Sequence, residues 1–95
     1  SLAVNGAAHT LTVPRGSSVY DVMEIAARHT DFRFSGKDYA ALGFFVEAVS
    51  GLASDPQRQM YWTYYVNGRK AKAGVSSQIV APHDIIEWKY EKATE

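Results

Sequence analysis

The chain has 95 residues, of which 46% are hydrophobic and 21% charged, and its ten basic and ten acidic side chains cancel. That length is expected to form a single domain over residues 1–95 with a modest core and little stability to spare. Neutral balance gives no bulk attraction to nucleic acid or an anionic membrane, no apolar run approaches the roughly 20 residues of a membrane span, and the absence of cysteine removes disulfides, thiolate metal sites and a cysteine nucleophile.

Leu2-Ala3-Val4 and Leu11-Thr12-Val13 are short alternating runs around Asn5-Gly6, and they read as a β-hairpin with a loop longer than two residues. Pro14-Arg15-Gly16 ends the second run. Ser18 and Asp21 have capping-box spacing, and Val19, Val22, Met23 and Ala26 recur at helical spacing, so residues 18–29 are expected to form an amphipathic helix. Arg28 and His29 close it, where positive charge suits the helix dipole. Residues 30–43 read as irregular, broken at Ser35-Gly36 and Leu42-Gly43.

Phe44 to Val49 alternates as a strand. Gly51 to Gln59 is a polar loop, and Tyr61 to Val66 is the next strand. Asn67-Gly68, a pair that readily takes positive φ at both central turn positions, then turns the chain into a basic ribbon. Ala81-Pro82-His83-Asp84 is a turn signal before a last strand over Asp84 to Tyr90, and residues 91–95 form a tail. The order strand, strand, helix, strand, strand, strand predicts an α+β fold of β-grasp-like layout (ββαβββ), a mixed sheet with one packed helix.

Six of the twelve aromatic residues fall in the last two long strands. Ile86, Trp88 and Tyr90 share one face of the final strand; Trp62, Tyr64 and Val66 lie opposite Tyr61, Thr63 and Tyr65 in its partner. Both faces of the sheet carry aromatics and only one fits under a helix. Trp88 reads as core. Tyr61, Trp62, Tyr64 and Tyr65 fit either core packing or a flat docking surface rich in Tyr and Trp.

Little else suggests chemistry. His9, His29 and His83 are far apart and read as solvated; His83-Asp84 has no second histidine at ligand spacing. The aspartates make no calcium loop, the serines no nucleophile elbow, and Gly16 alone no phosphate cradle. Arg69, Lys70 and Lys72 read as charges guarding a turn beside an edge strand. These residues predict neither an enzyme nor a required cofactor or metal.

Gly43-Phe44-Phe45-Val46, Ser50-Gly51-Leu52, Tyr61-Trp62, Tyr65-Val66-Asn67-Gly68, Gly74-Val75 and Asp84-Ile85-Ile86-Glu87-Trp88-Lys89-Tyr90, with the strand-to-helix entry from Leu11 to Met23, resemble the C-terminal β domain of the transcobalamin and intrinsic-factor family. They also resemble related uncharacterised domains of secreted and surface proteins. The resemblance spans about residues 11–90. It implies an extracellular domain and, in the full carriers, cobalamin held between this domain and a helical barrel. It places ligand contacts at Tyr61, Trp62, Thr63, Tyr64 and Tyr65 and at Gly74, Val75 and Ser76. Trp62, Tyr64 and Tyr65 would give apolar contact, and backbone groups near Thr63 and Gly74 to Ser76 hydrogen bonds. A corrinoid, a helical-barrel domain or another extracellular protein are the expected partners. The alternative function is a protein-interaction module working through the aromatic face or an open edge strand.

Overall fold

Ser18 and Asp21 start helix α1 (Val19–His29) by capping each other: the Asp21 N–H donates to Ser18 Oγ at 3.1 Å and the Ser18 N–H to Asp21 Oδ2 at 3.0 Å. The computed structural model describes residues 2–4, 7–41 and 43–92. Two more N–H groups at the helix start, which have no partner within a helix, are met from elsewhere in the chain. Val19 donates to the Gln78 carbonyl at 2.8 Å and Tyr20 to that of Val75 at 3.0 Å. Val19, Val22, Met23 and Ala26 are the buried stripe, as their spacing predicts.

Strands β1 (Leu2–Val4) and β2 (Ala7–His9) form an antiparallel hairpin with Val4 opposite Ala7. The second strand is thus Ala7–His9, not the expected Leu11–Val13. Leu11 and Val13 alternate like a strand because they pack, partly buried, against the core, but no ladder forms there. The expected loop at Asn5-Gly6 lies outside the described residues.

Strands β3 (Phe34–Tyr39), β4 (Gly43–Val49) and β5 (Leu52–Ala53) make a three-stranded sheet in that order. β3 replaces the irregular segment expected over residues 30–43. Gly36 reads as a breaker, yet it sits at a bulge where a Cβ would lie 2.0 Å from the Phe45 carbonyl oxygen. Glycine is there to let two backbones meet, not to end the strand. The expected polar loop contains β5 and a single 3-10 turn (Pro56–Arg58).

Strands β6 (Met60–Val66), β7 (Arg69–Lys70) and β8 (Ile86–Lys92) complete a five-stranded sheet ordered β2-β1-β8-β6-β7. β8 runs parallel to β1 and antiparallel to β6, so this sheet is mixed. Among the described residues the fold is α+β with one α-helix and two sheets, where the sequence predicts a single sheet. Met60 opposite Lys92 and Tyr61 opposite Glu91 extend β8 to Lys92, so Glu91 and Lys92 belong to the strand rather than to the tail.

Register decides which aromatic face is buried. Trp62 faces Tyr90, Tyr64 faces Trp88 and Val66 faces Ile86 on one side, while Tyr61, Thr63 and Tyr65 pair with Glu91, Lys89 and Glu87 on the other. The apolar side packs with the helix stripe, Leu2, Phe32, Val75 and β4's Val46 and Val49 as one core. Leu2, Met23 and Ile86 are almost wholly buried, and each contributes about 1.5–3 kcal/mol by leaving water.

Candidate functional site

The alternation of β6 divides the five consecutive residues expected at the site. Trp62 and Tyr64 are buried toward the core; Tyr61, Thr63 and Tyr65 are half-buried on the outer face. The outer face meets its own polar needs. Tyr65 donates its hydroxyl to Glu91 Oε2 at 2.6 Å, and Lys89 Nζ sits 4.7 Å from the Tyr65 ring centroid and 3.9 Å from Glu87 Oε1. The bond to Glu91, with partial burial and the neighbouring carboxylates, holds the Tyr65 hydroxyl above the ordinary tyrosine range.

On the inner face, Trp62 Nε1 donates to the Leu52 carbonyl at 2.7 Å, and the Tyr90 hydroxyl donates to that of Ala53 at 3.2 Å. These two bonds tie β5 of the small sheet to β6 and β8 of the large one. The Tyr64 hydroxyl donates to the Ala73 carbonyl, and burial pushes its pKa up. The Tyr64 and Trp88 rings tilt against each other with centroids 5.2 Å apart.

The second expected segment is held on three sides. Val75 is buried in the core, and its carbonyl accepts from the first turn of α1. The Gly74 carbonyl accepts from the N–H groups of Ser77 and Gln78. Ser76 Oγ accepts from the Phe44 N–H at 3.1 Å. Gly43, at φ +85°, allows this approach: a Cβ there would lie 3.1 Å from Ser76 Cβ.

These contacts leave an open cleft of about 200 Å³ between the sheets. β4 supplies Phe44, Phe45 and Val46, β6 supplies Trp62, Thr63 and Tyr64, β8 supplies Trp88, and the following chain supplies Ala71, Gly74 and Val75. Five expected residues therefore meet: Trp62, Thr63, Tyr64, Gly74 and Val75. Ser76 buttresses β4 beside the cleft, and Tyr61 and Tyr65 do not line it. Sequence reasoning missed the lining roles of Phe44, Phe45, Val46, Ala71 and Trp88. The adjacent aromatics Phe44-Phe45 after a glycine were an available signal for the first two. None of the lining side chains is charged at neutral pH. Trp88 Nε1 is buried with no hydrogen-bond partner.

A second cleft, of about 360 Å³, lies between the Leu11–Arg15 stretch, α1 and the turn at Val80–Asp84. It carries Arg15, His83 and Asp84 over an apolar base that includes Val22 and Ile86. His83 adopts a left-handed φ of 69°. Asp84 anchors this turn: its Oδ2 accepts from the Ala81 N–H and its Oδ1 from Asn67 Nδ2, both at 2.8 Å. The Ala81 bond and then the Asn67 bond hold its carboxyl below the ordinary aspartate range. Among the described residues no group of three or more His, Cys, Asp or Glu side chains is placed to hold a metal, and no helix is long and apolar enough to cross a membrane.

The chain is similar in structure to haptocorrin in complex with Cbi, with a TM-score of 0.85 at 23% identity over 98% of this chain. It spans 24% of the haptocorrin chain. It is also similar to a protein of Ruminococcus gnavus ATCC 29149 described as a candidate metal-binding protein, with a TM-score of 0.72 at 14% identity, covering 98% of this chain and 93% of that one. At these identities the likeness is one of fold. No curated protein sequence matches the chain. One helix against two sheets makes an α+β domain with the fold of the matching part of haptocorrin. The chain belongs to the family described as Domain of unknown function (DUF4430), whose profile matches residues 16–92.

Proposed function

We propose that this chain is a non-enzymatic, extracellular domain of β-grasp-like layout that supplies half of a binding site for a corrinoid such as cobalamin. The observation that carries this reading is the single cleft joining Trp62, Thr63 and Tyr64 to Gly74 and Val75, in a fold shared with haptocorrin in complex with Cbi. Its volume of about 200 Å³ is below the roughly 300–1,000 Å³ of pockets that enclose a drug-sized ligand. Such a cleft grips one edge of a large ligand, and a second body, such as a helical barrel, must cover the rest. The lining offers apolar contact and hydrogen bonds but no acid, base or activated nucleophile, which suits binding rather than catalysis. With much of the ligand still in water, the domain alone binds weakly. Equilibrium dialysis of the purified domain against cyanocobalamin and dicyanocobinamide tests this: saturable retention is expected, and no retention at millimolar ligand overturns it.

A second reading is an extracellular protein-interaction module. It is favoured by Tyr61 and Tyr65, which are half-buried on the outer sheet face away from the cleft. A partner on that face would be lost on Tyr61→Ala, whereas a corrinoid in the cleft would not.

A further inference from the structure

The cleft between the sheets is uncharged throughout its lining, unlike the larger cleft with Arg15, His83 and Asp84. We infer that the cleft between the sheets selects against charge: it takes the edge of a corrinoid whose peripheral carboxyl groups are amidated or esterified, and rejects the same ring as a free polycarboxylate. This rests on the corrinoid reading above and adds the chemical form of the ligand.

Desolvation sets this preference. A carboxylate entering among Phe44, Val46, Trp62 and Trp88 gives up its water, and no lining cation can replace it. Of the polar side-chain groups nearby two are already engaged, and Trp88 Nε1, buried without a partner, is a single neutral N–H that cannot replace the hydration of a carboxylate. Tyr64 donates to the Ala73 carbonyl and Ser76 Oγ accepts from the Phe44 N–H. An amide or ester edge therefore loses less on entry than a carboxylate does. The nearest basic run, Arg69, Lys70 and Lys72, is exposed on the ribbon on either side of Ala71, in water where salt screens it. The whole chain has no net charge, so long-range attraction gives the acid no compensating advantage.

The test uses three probes of one ring system on the 95-residue chain: dicyanocobinamide, dicyanocobyrinic acid and its heptamethyl ester. Binding is followed by amide NMR shifts at Phe45, Thr63 and Gly74, at low and at high salt. The amide and ester probes should bind, and the acid should bind at least about tenfold more weakly at both salt levels, the loss expected for leaving a polar group buried and unpaired. Acid and ester affinities within threefold of each other would overturn the selectivity while leaving the corrinoid site standing. So would discrimination that vanishes in high salt, because its source would then be surface charge. Failure of all three probes to bind would remove the corrinoid reading and this inference together.

Discussion

The indole N–H of Trp62 donates to the Leu52 carbonyl at 2.7 Å and so ties the five-stranded sheet to the three-stranded one. The cleft lies between those sheets, and Trp62 lines it. Trp62 therefore shapes the site as well as offering it surface. Trp62→Phe should lower stability by about 1–2 kcal/mol through the lost hydrogen bond and reduced packing, and Trp62→Ala by about 3–5 kcal/mol. Urea unfolding measures both. A change in Trp62→Phe within error of zero would contradict a bond that holds the sheets together.

The same substitution at Trp88 should behave differently. Its Nε1 is buried without a partner, whereas that of Trp62 is bonded. Trp88→Phe removes an unsatisfied donor, worth about 1–3 kcal/mol, and offsets most of the packing it loses. Its unfolding free energy should stay within about 1 kcal/mol of the parent chain, above that of Trp62→Phe. A loss larger than that of Trp62→Phe would mean that the Trp88 indole has a partner in solution.

Asp84 links pH to stability. Its ionised carboxylate is bonded to Ala81 and Asn67 in the fold, and its pKa is lowered. That contribution is fully present above the ordinary aspartate range and is lost as pH falls through the depressed folded value. Asp84→Asn should melt below the parent chain at neutral pH, with the gap narrowing in acid. Thermal melts across the acid range check this, and parallel curves would remove Asp84 from the account.

Gly36 is set by contact with β4. An added Cβ would meet the Phe45 carbonyl oxygen at 2.0 Å, so Gly36→Ala should cost at least about 1–3 kcal/mol from forced backbone movement. Because Phe45 lines the cleft, the change should also weaken corrinoid retention. Unchanged stability would show that the two strands part freely.

Phe45 separates binding from folding. It is 57% exposed and lines the cleft. Phe45→Ala should change stability little, by about 0.5 kcal/mol or less, yet weaken corrinoid binding by about 1–2 kcal/mol, or five- to thirtyfold. Dialysis beside urea unfolding reads both, and unaltered affinity would exclude Phe45 from the site.

Local signals in the sequence were legible where they act locally. Ser18 with Asp21 marked the helix start, and the alternation of β4, β6 and β8 appeared as strands. Other features depend on distant partners. Gly36 looks like a breaker until Phe45 is beside it, and Leu11–Val13 looks like a strand until the ladder is seen to run through Ala7–His9. The parallel pairing of β1 with β8 has no local mark. For the site, the resemblance picked out residues 61–65 as a block. The pleat then sends Tyr61 and Tyr65 away from the cleft and brings in Trp88 and Phe44–Val46 from other strands.

Corrinoid binding in the cleft is read most directly by mapping, residue by residue, the amide and indole NMR shifts of the domain as cobalamin is titrated in. A corrinoid half-site predicts saturable shifts at Phe44–Val46, Trp62–Tyr64, Gly74, Val75 and the Trp88 indole, with Arg15, His83 and the outer-face Tyr61 unmoved. Shifts concentrated instead at Arg15 and His83 or on the outer face, or none at millimolar ligand, would contradict it.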